Sequence, residues 1–145
     1  MISIDTNILI YARVSDSPWH VPCAQFLQSL SDRGDVVLAE LVLVEFYLAL
    51  RNPAILSLPL DAPAAVAQCA ALRHHPRWRL AECADVMESV WRDVANPNFA
   101  RRRIIDVRLA RTLQSYGVTE FATANIRDFS DLGFQRVWNP VEERS

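Results

Sequence analysis

The chain has 145 residues, of which 51% are hydrophobic and 22% are charged, so it is long enough for one domain with a real core and is neither disordered nor fibrous. Its formal net charge of −2 excludes a broadly basic surface that coats nucleic acid without specificity, while leaving local basic patches open. The basic side chains other than histidine are all arginine, and guanidinium groups favour paired hydrogen bonds to carboxylates and phosphates.

Short apolar segments alternate with helical patterns along the chain. In chain order, the predicted elements are strand 2–4, helix 6–11, helix 18–30, strand 36–38, helix 40–50, helix 62–72, strand 78–80, helix 84–94, helix 104–116, strand 120–122, a short helix within 123–129 and strand 134–137. Ser17 and Asp61 are predicted N-caps, and Gly117 is a predicted C′ residue. A loop at residues 96–98 precedes the cluster Arg101-Arg102-Arg103.

The alternation of strands with helices predicts an α/β fold, because parallel strands need helical crossovers. We expect a three-layer α/β/α sandwich with a central, mostly parallel sheet of four to five short strands. Cys23, Cys69 and Cys83 show no C-x-x-C spacing and support neither a disulfide framework nor a zinc cluster. The longest apolar stretch, residues 36–50, contains two glutamates and is too short to span a bilayer. Since the chain does not start with a signal-peptide pattern, we expect a cytoplasmic protein without a membrane anchor.

Four acidic residues lie where such a fold places a crevice. Asp5 directly follows the first strand, at the edge where open α/β proteins bind ligands. Glu45 lies within the apolar segment 41–48, where burial of its carboxylate requires a cation or hydrogen bonds, unless Glu45 occupies an exposed stripe of its helix. Asp106 lies in the first turn of a helix, where a carboxylate is favoured in any case. Asp128 follows the fourth strand.

A set of carboxylates around one crevice predicts a site for a divalent metal ion. Oxygen ligands suit Mg²⁺ and Mn²⁺, and Mg²⁺ is commonly held by one or two carboxylates together with water and substrate phosphate. Such an ion lowers the pKa of an attacking water and neutralises charge that develops on the phosphate. Phosphodiester hydrolysis is the chemistry that requires this set.

The motifs around these acids resemble those of the PIN-domain ribonucleases, and most closely the VapC-type toxins of bacterial type II toxin-antitoxin modules. They are Ile4-Asp5-Thr6-Asn7, Leu43-Val44-Glu45, Asp106-x-x-Leu109-Ala110 and Thr123-x-Asn125-x-x-Asp128-Phe129. They occur in the order found in that family, and the resemblance extends to Val137-Trp138-Asn139-Pro140. It implies a single PIN-like nuclease domain over residues 1–145.

The resemblance also implies an activity, a set of site residues and partners. The activity is that of an endoribonuclease in which water activated by Mg²⁺ or Mn²⁺ attacks an RNA phosphodiester and leaves a 5′-phosphate and a 3′-hydroxyl. The implied catalytic and metal-binding acids are Asp5, Glu45, Asp106 and Asp128. Thr123 would orient a water or a metal-bound group, Asn7 would support Asp5, and Asn125 would order the loop. The implied partners are RNA, a second copy of the chain in a homodimer, and a cognate antitoxin whose tail enters the acidic groove.

Two sets of alternatives stay open. The arginines Arg101, Arg102, Arg103 and Arg108 either contact RNA phosphates, form a solvated face or pair with the acids. The protein itself is either this nuclease, a catalytically inactive PIN fold that binds RNA or a partner, a DNA nuclease, or a metal-dependent phosphatase. The phosphatase alternative is disfavoured because haloacid-dehalogenase-like enzymes carry Asp-x-Asp and a later Lys, whereas this chain has Asp5-Thr6-Asn7 and no Lys.

Overall fold

The computed structural model describes residues 1–82 and 84–142. In chain order its elements are β1 (Ile2–Ile4), α1 (Thr6–Arg13), α2 (His20–Leu30), β2 (Val37–Ala39), α3 (Glu40–Leu50), α4 (Ala62–Arg73), β3 (Arg79–Ala81), α5 (Met87–Val94), a 3₁₀ turn (Arg101–Arg103), α6 (Ile104–Ser115), β4 (Glu120–Ala122), α7 (Ile126–Phe129) and β5 (Arg136–Trp138).

All pairings between these strands are parallel. Strand β1 pairs with β4, β4 pairs with β5, and β2 pairs with β3. A single parallel bridge between Ile2 and Val36 joins the two groups, so the strands follow one another in the order β3-β2-β1-β4-β5. The predicted α/β fold with a parallel sheet of short strands is confirmed.

Two groups of helices cover the sheet. The chain runs from β1 to β2 and β3 in one direction, then passes back beyond β1 to β4 and β5. Because crossovers between parallel strands are right-handed, this reversal places the helices of the two halves on opposite faces. Helix α1 accordingly packs against α2 and α3, and α3 against α4, while α6 packs against α5 and α7. The result is the predicted three-layer sandwich.

The reversal of chain direction falls between β1 and β4, which are the central strands. All three residues of β1 are buried, as are Phe121 and Ala122 of β4. Asp5 follows β1 and its N–H donates to the carbonyl of Ala122 at 2.9 Å. In open α/β sheets the ligand crevice lies at the carboxyl ends of the strands on either side of such a reversal. Asp5 and Thr123, which directly follow β1 and β4, therefore lie where such a ligand crevice is expected.

Several element boundaries differ from the prediction. Helix α2 begins at His20 instead of residue 18, because the Ser17 hydroxyl accepts from the N–H of Trp19 (3.2 Å) in a turn before the helix. Helix α5 begins at Met87 instead of residue 84, and the arginine cluster, for which no element was predicted, forms the 3₁₀ turn. The predicted N-cap Asp61 is confirmed, since its carboxylate accepts from the N–H of Ala64 at 2.9 Å.

Two expectations concern thiols and membranes. Cys23 is buried and Cys69 is half-buried, and both are free thiols, whereas Cys83 lies outside the described residues. Across the ranges 1–82 and 84–142, no helix has the length and apolar character needed to cross a membrane.

Gly117 ends α6 in a conformation that few other residues adopt. Its φ is +88°, as expected for a C′ glycine, and a Cβ there would lie 2.7 Å from the Cε of Met1. We expect Gly117→Ala to lower the free energy of unfolding by about 1–2 kcal/mol, since an L side chain is strained at positive φ. Gly34→Ala is the matched control, because Gly34 has no positive φ and no atom within 4 Å of the new Cβ. Urea unfolding of both variants measures the difference, and equal stabilities would contradict this explanation.

Candidate active site

Hydrogen bonds from the segments after β1 and after β4 hold the carboxylate of Asp5. Its Oδ1 accepts from the N–H of Thr6 at 2.8 Å, which makes Asp5 the N-cap of α1. Its Oδ2 accepts from the hydroxyl of Thr123 at 2.7 Å and from the side-chain amide of Asn7 at 3.3 Å. Only 7% of Asp5 is exposed. Helix capping explains the first of these bonds, while the other two fix the orientation of the carboxylate.

Thr123 and Asn7 form a small polar network around Asp5. The Thr123 hydroxyl donates to Asp5 and accepts from the N–H of Asn125 at 3.0 Å. The side-chain oxygen of Asn7 accepts from the N–H of Ala124 at 3.1 Å, and its amide lies 3.4 Å from the Thr123 hydroxyl. Asn7 therefore connects α1 to the segment after β4. Asn7 makes its contacts with its side chain, whereas Asn125 contributes its backbone N–H, and the supporting roles of both stay predictions.

Glu45 is exposed, so the expectation of a buried carboxylate on α3 is wrong and the alternative of an exposed stripe holds. Its neighbours on that stripe are Val44 and Leu48, which are 54% and 62% exposed. The carboxylate still faces the site, since its Oε2 accepts from the hydroxyl of Thr6 at 3.0 Å. Thr6, whose N–H donates to the N-cap carboxylate of Asp5, was not among the predicted site residues. A hydroxyl directly after the strand-end acid was the signal that could have indicated it.

Asp106 and Asp128 approach from the other face of the sheet. Asp106 lies half-buried in the first turn of α6, and Asp128 is exposed in the four-residue helix α7. Both line the same groove of about 430 Å³ as Asp5 and Glu45. The structure thus brings all four predicted acids to one groove, which also includes the predicted residues Asn7 and Asn125. Its apolar walls include Ile10, Leu48, Ile55, Ile105 and Leu109.

Two acids of the groove, Asp5 and Asp106, have raised pKa values. Burial, together with the negative charges of Glu45 and Asp106, raises the pKa of Asp5 to about 6, despite the opposing hydrogen bonds from Thr123 and Thr6. Burial and then the charge of Asp128 raise the pKa of Asp106 above its usual value, with a smaller contribution from Glu45 and an opposing one from Arg103. A bound cation would relieve this repulsion and the cost of burying the Asp5 carboxylate.

The residues of the groove fit a hard divalent cation. They offer carboxylate, hydroxyl and amide oxygens, which are the ligands of Mg²⁺ and Mn²⁺, and no sulfur or imidazole of the kind that Zn²⁺ prefers. Within the described part of the chain, no three acidic, histidine or cysteine side chains converge closely enough to hold an ion by themselves. Mg²⁺ commonly keeps several waters and is held by one or two carboxylates.

The four candidate RNA-binding arginines differ in their surroundings. Arg101, Arg102 and Arg108 are exposed on the 3₁₀ turn and α6, on the segment that carries Asp106. Arg103 is instead half-buried and forms an ion pair with Asp131 at 2.6 Å. For Arg103 the structure favours the alternative of a salt-bridge partner.

Comparison with known proteins identifies the family. The sequence pattern described as "PIN domain" matches residues 2–135. The chain belongs to the PIN-domain family. "Ribonuclease VapC24" of Mycobacterium tuberculosis, from strains CDC 1551 / Oshkosh and ATCC 25618 / H37Rv, is 51% identical to this PIN domain over 141 residues, which cover 97% of each protein. The resemblance to VapC-type PIN domains is thereby confirmed.

Solved structures share the fold. VapC20 of Mycobacterium tuberculosis, described as a Sarcin-Ricin loop cleaving toxin, matches with a TM-score of 0.66 and 19% identity over 92% of this chain and 96% of that one. FitAcB from Neisseria gonorrhoeae matches with a TM-score of 0.61 and 19% identity over 97% and 98% of the two chains. FitAB bound to an IR36 DNA fragment matches with a TM-score of 0.62 and 16% identity over 100% and 99%. At these identities the matches establish the architecture alone.

The raised pKa of Asp5 predicts how stability depends on pH in metal-free buffer. The folded carboxyl titrates with a pKa of about 6, whereas the ordinary pKa of an aspartate is 3.8, so between these pH values the folded state holds more protons than the unfolded state. Stability should therefore fall as pH rises from about 4 to about 6, by up to about 3 kcal/mol. Asp5→Asn cannot titrate and should lack this loss. Urea unfolding of both proteins from pH 4 to 7 measures the difference, and parallel curves would refute the assignment.

Proposed function

We propose that this PIN domain is a Mg²⁺- or Mn²⁺-dependent endoribonuclease that acts as the toxin of a toxin-antitoxin pair. The observation that carries the proposal is the meeting of Asp5, Glu45, Asp106 and Asp128 in one groove at the chain reversal. Its support from comparison is the 51% identity to Ribonuclease VapC24 over nearly the whole chain. A conserved fold alone would not carry an activity, because one fold hosts many functions.

The four acids would hold the ion, some of them through bound water, since no three of the described acids converge on one point. When bound, Mg²⁺ or Mn²⁺ lowers the pKa of water and neutralises charge on a phosphate. Thr123 and Thr6 have a different task. By donating to Asp5 and Glu45 respectively, they hold the two carboxylates in fixed orientations. Because these carboxylates are oriented before substrate binds, they need less reorganisation during the reaction.

Arg102 and Arg108 are the proposed contacts to RNA phosphates. Both are exposed, and along the chain they flank Ile105 and Asp106, which line the acidic groove. Their guanidinium groups match phosphate geometry. Because the formal net charge of the chain is −2, local contacts of this kind have to attract RNA in place of a broadly basic surface. Exposed Ile105 lies between them on α6 and offers an apolar surface to an unpaired base.

Substitution of Asp5 tests the proposed catalysis directly. We expect Asp5→Asn to lower kcat/KM for RNA cleavage at least about a hundredfold, since metal-ion catalysis contributes several kcal/mol. The amide preserves the shape of the side chain and can still accept from the N–H of Thr6. Gel analysis of a labelled RNA measures cleavage, and thermal unfolding with and without Mn²⁺ measures ion binding.

Asp32→Asn is the matched control for that experiment. It removes the same charge from an exposed position between α2 and β2, at the amino end of the sheet. Its activity and its stabilisation by Mn²⁺ should equal those of the unaltered protein. Full activity of Asp5→Asn would remove Asp5 from the mechanism. Preferential cleavage of a DNA strand of the same sequence would favour the DNA-nuclease alternative, and binding of RNA without cleavage would favour the inactive one.

A cognate antitoxin and a second copy of the chain are the proposed protein partners. The groove is rich in carboxylates, so it would accept a basic side chain from an antitoxin tail, and VapC20 with the same fold is described as a toxin. For self-association the supporting observation is an apolar surface on α3 and α4. Val44, Leu48 and Val66 are each more than half exposed there, and Val44 and Val66 line one groove.

The toxin assignment predicts an effect on a bacterial host. Expression of the chain without an antitoxin should slow growth, because RNA cleavage in the cytoplasm depletes functional RNA. Asp5→Asn at the same expression level should not slow growth, while Asp32→Asn should. Optical density and immunoblots of the three strains measure the effect. Unimpaired growth with soluble, active protein would contradict the toxin role but leave the nuclease role in place.

A further inference from the structure

Arg103 makes more contacts than the other arginines of its cluster. Its Nη2 and Nη1 atoms donate to Oδ1 and Oδ2 of Asp131 at 2.6 and 3.1 Å. The same Nη2 donates to the backbone carbonyl of Asp128 at 3.0 Å. The guanidinium carbon also lies 5.8 Å from the centre of the Phe99 ring. A guanidinium engaged in this way is not available for a bidentate contact with RNA phosphate.

These contacts join the two elements that carry Asp106 and Asp128. Arg103 ends the 3₁₀ turn directly before α6, and Asp106 lies in the first turn of α6. Asp128 lies in α7, which has four residues. So short a helix is not stable by itself and takes its position from tertiary contacts. Phe129 anchors one side of α7 in the core, and Arg103 holds the backbone on the other side.

The position of α7 matters because its Asp128 carboxylate repels the Asp106 carboxylate of α6. Asp106 and Asp128 line the same groove, and two carboxylates in one groove repel each other. Without Arg103 the repulsion would act on a helix that has lost one of its attachments. The two carboxylates would then move apart, and an ion between them would lose one ligand or one bound water.

We propose that Arg103 is a positioning residue that holds Asp128 at the correct separation from Asp106 for both to bind the catalytic ion, and that Asp131 in turn fixes Arg103. The proposal rests on the metal-dependent nuclease function proposed above. It assigns a role in the site to Asp131, which lies outside the acidic groove. Arg103 acts through the backbone of Asp128 and touches neither substrate nor ion.

The test compares Arg103→Gln, Arg103→Lys and Asp131→Asn with two reference variants. Arg33→Gln is the structural control, because Arg33 forms a similar bidentate pair with Asp35 (2.8 and 2.6 Å) at the amino end of the sheet. Arg102→Gln is the comparison for a true phosphate contact. The measurements are Mn²⁺ affinity by electron paramagnetic resonance of free Mn²⁺, kcat and KM for RNA at several salt concentrations, and thermal unfolding.

We expect Arg103→Gln to weaken Mn²⁺ binding about tenfold and to lower kcat by a similar factor, with KM within about twofold, as is typical for residues that orient metal ligands. Arg103→Lys should recover part of the loss, since ammonium keeps the charge but not the fork of donors. Asp131→Asn should also weaken Mn²⁺ binding. The weakening in Arg103→Gln is the diagnostic result, because removing a positive charge near the groove would by itself strengthen Mn²⁺ binding. Arg33→Gln should leave Mn²⁺ affinity, kcat and KM unchanged.

Arg102→Gln should show the opposite pattern, with a higher KM, unchanged Mn²⁺ affinity and a salt dependence reduced by about one phosphate contact. If Arg103→Gln shows that same pattern, Arg103 contacts RNA and the positioning role is refuted. Unchanged Mn²⁺ affinity in both Arg103→Gln and Asp131→Asn, with the unaltered protein binding Mn²⁺ and cleaving RNA, would refute the positioning role alone. Failure of the unaltered protein to bind Mn²⁺ or cleave RNA would refute the proposed function as well.

Discussion

The buried carboxylate of Asp5 is the constraint from which the arrangement of the site follows. It lies at the carboxyl ends of β1 and β4 and is 7% exposed. It accepts hydrogen bonds from Thr6, which follows β1, and from Thr123, which follows β4. A charge in that position is unfavourable unless its surroundings compensate it. The hydroxyl of Thr123 and the amide of Asn7 supply part of the compensation. The proposed cation would supply the remaining positive charge.

The site has a fixed floor and a more exposed rim. Asp5 and Thr123 are buried and hydrogen-bonded to each other, whereas Glu45 and Asp128 are exposed. On the rim, individual contacts determine where each carboxylate points, namely the Thr6 hydroxyl for Glu45 and the Arg103 guanidinium for the backbone of Asp128. Residues of this kind are harder to recognise than the acids themselves because they contact neither ion nor substrate.

The sequence predicted the order of elements and the meeting of four acids in one groove, and it predicted the contacts around those acids poorly. Short apolar runs indicated β1 and β4, and the strand-end position of Asp5 located the site, because the carboxyl edge of a parallel sheet has few possible positions. Periodicity left the burial of Glu45 open, and the structure decides for an exposed stripe, since a mostly apolar helix can still expose one side. The roles of Thr6 and Arg103 depend on residues 39 and 28 positions away. Periodicity carries no information about contacts at such separations.

The single bridge between Ile2 and Val36 has a consequence for the width of the groove. Strands β1 and β2 are hydrogen-bonded only near their amino ends, whereas β1 and β4 are paired along their whole length. On the Asp106 side, the backbone ladder therefore fixes the spacing of the segments that leave the sheet. On the Glu45 side, helix α3 leaves from a strand whose carboxyl end has no ladder bond to β1, so side-chain contacts set its distance. Sequence changes within α3 and its packing partners can thus widen or narrow the groove while the Asp5–Thr123 pair stays in place.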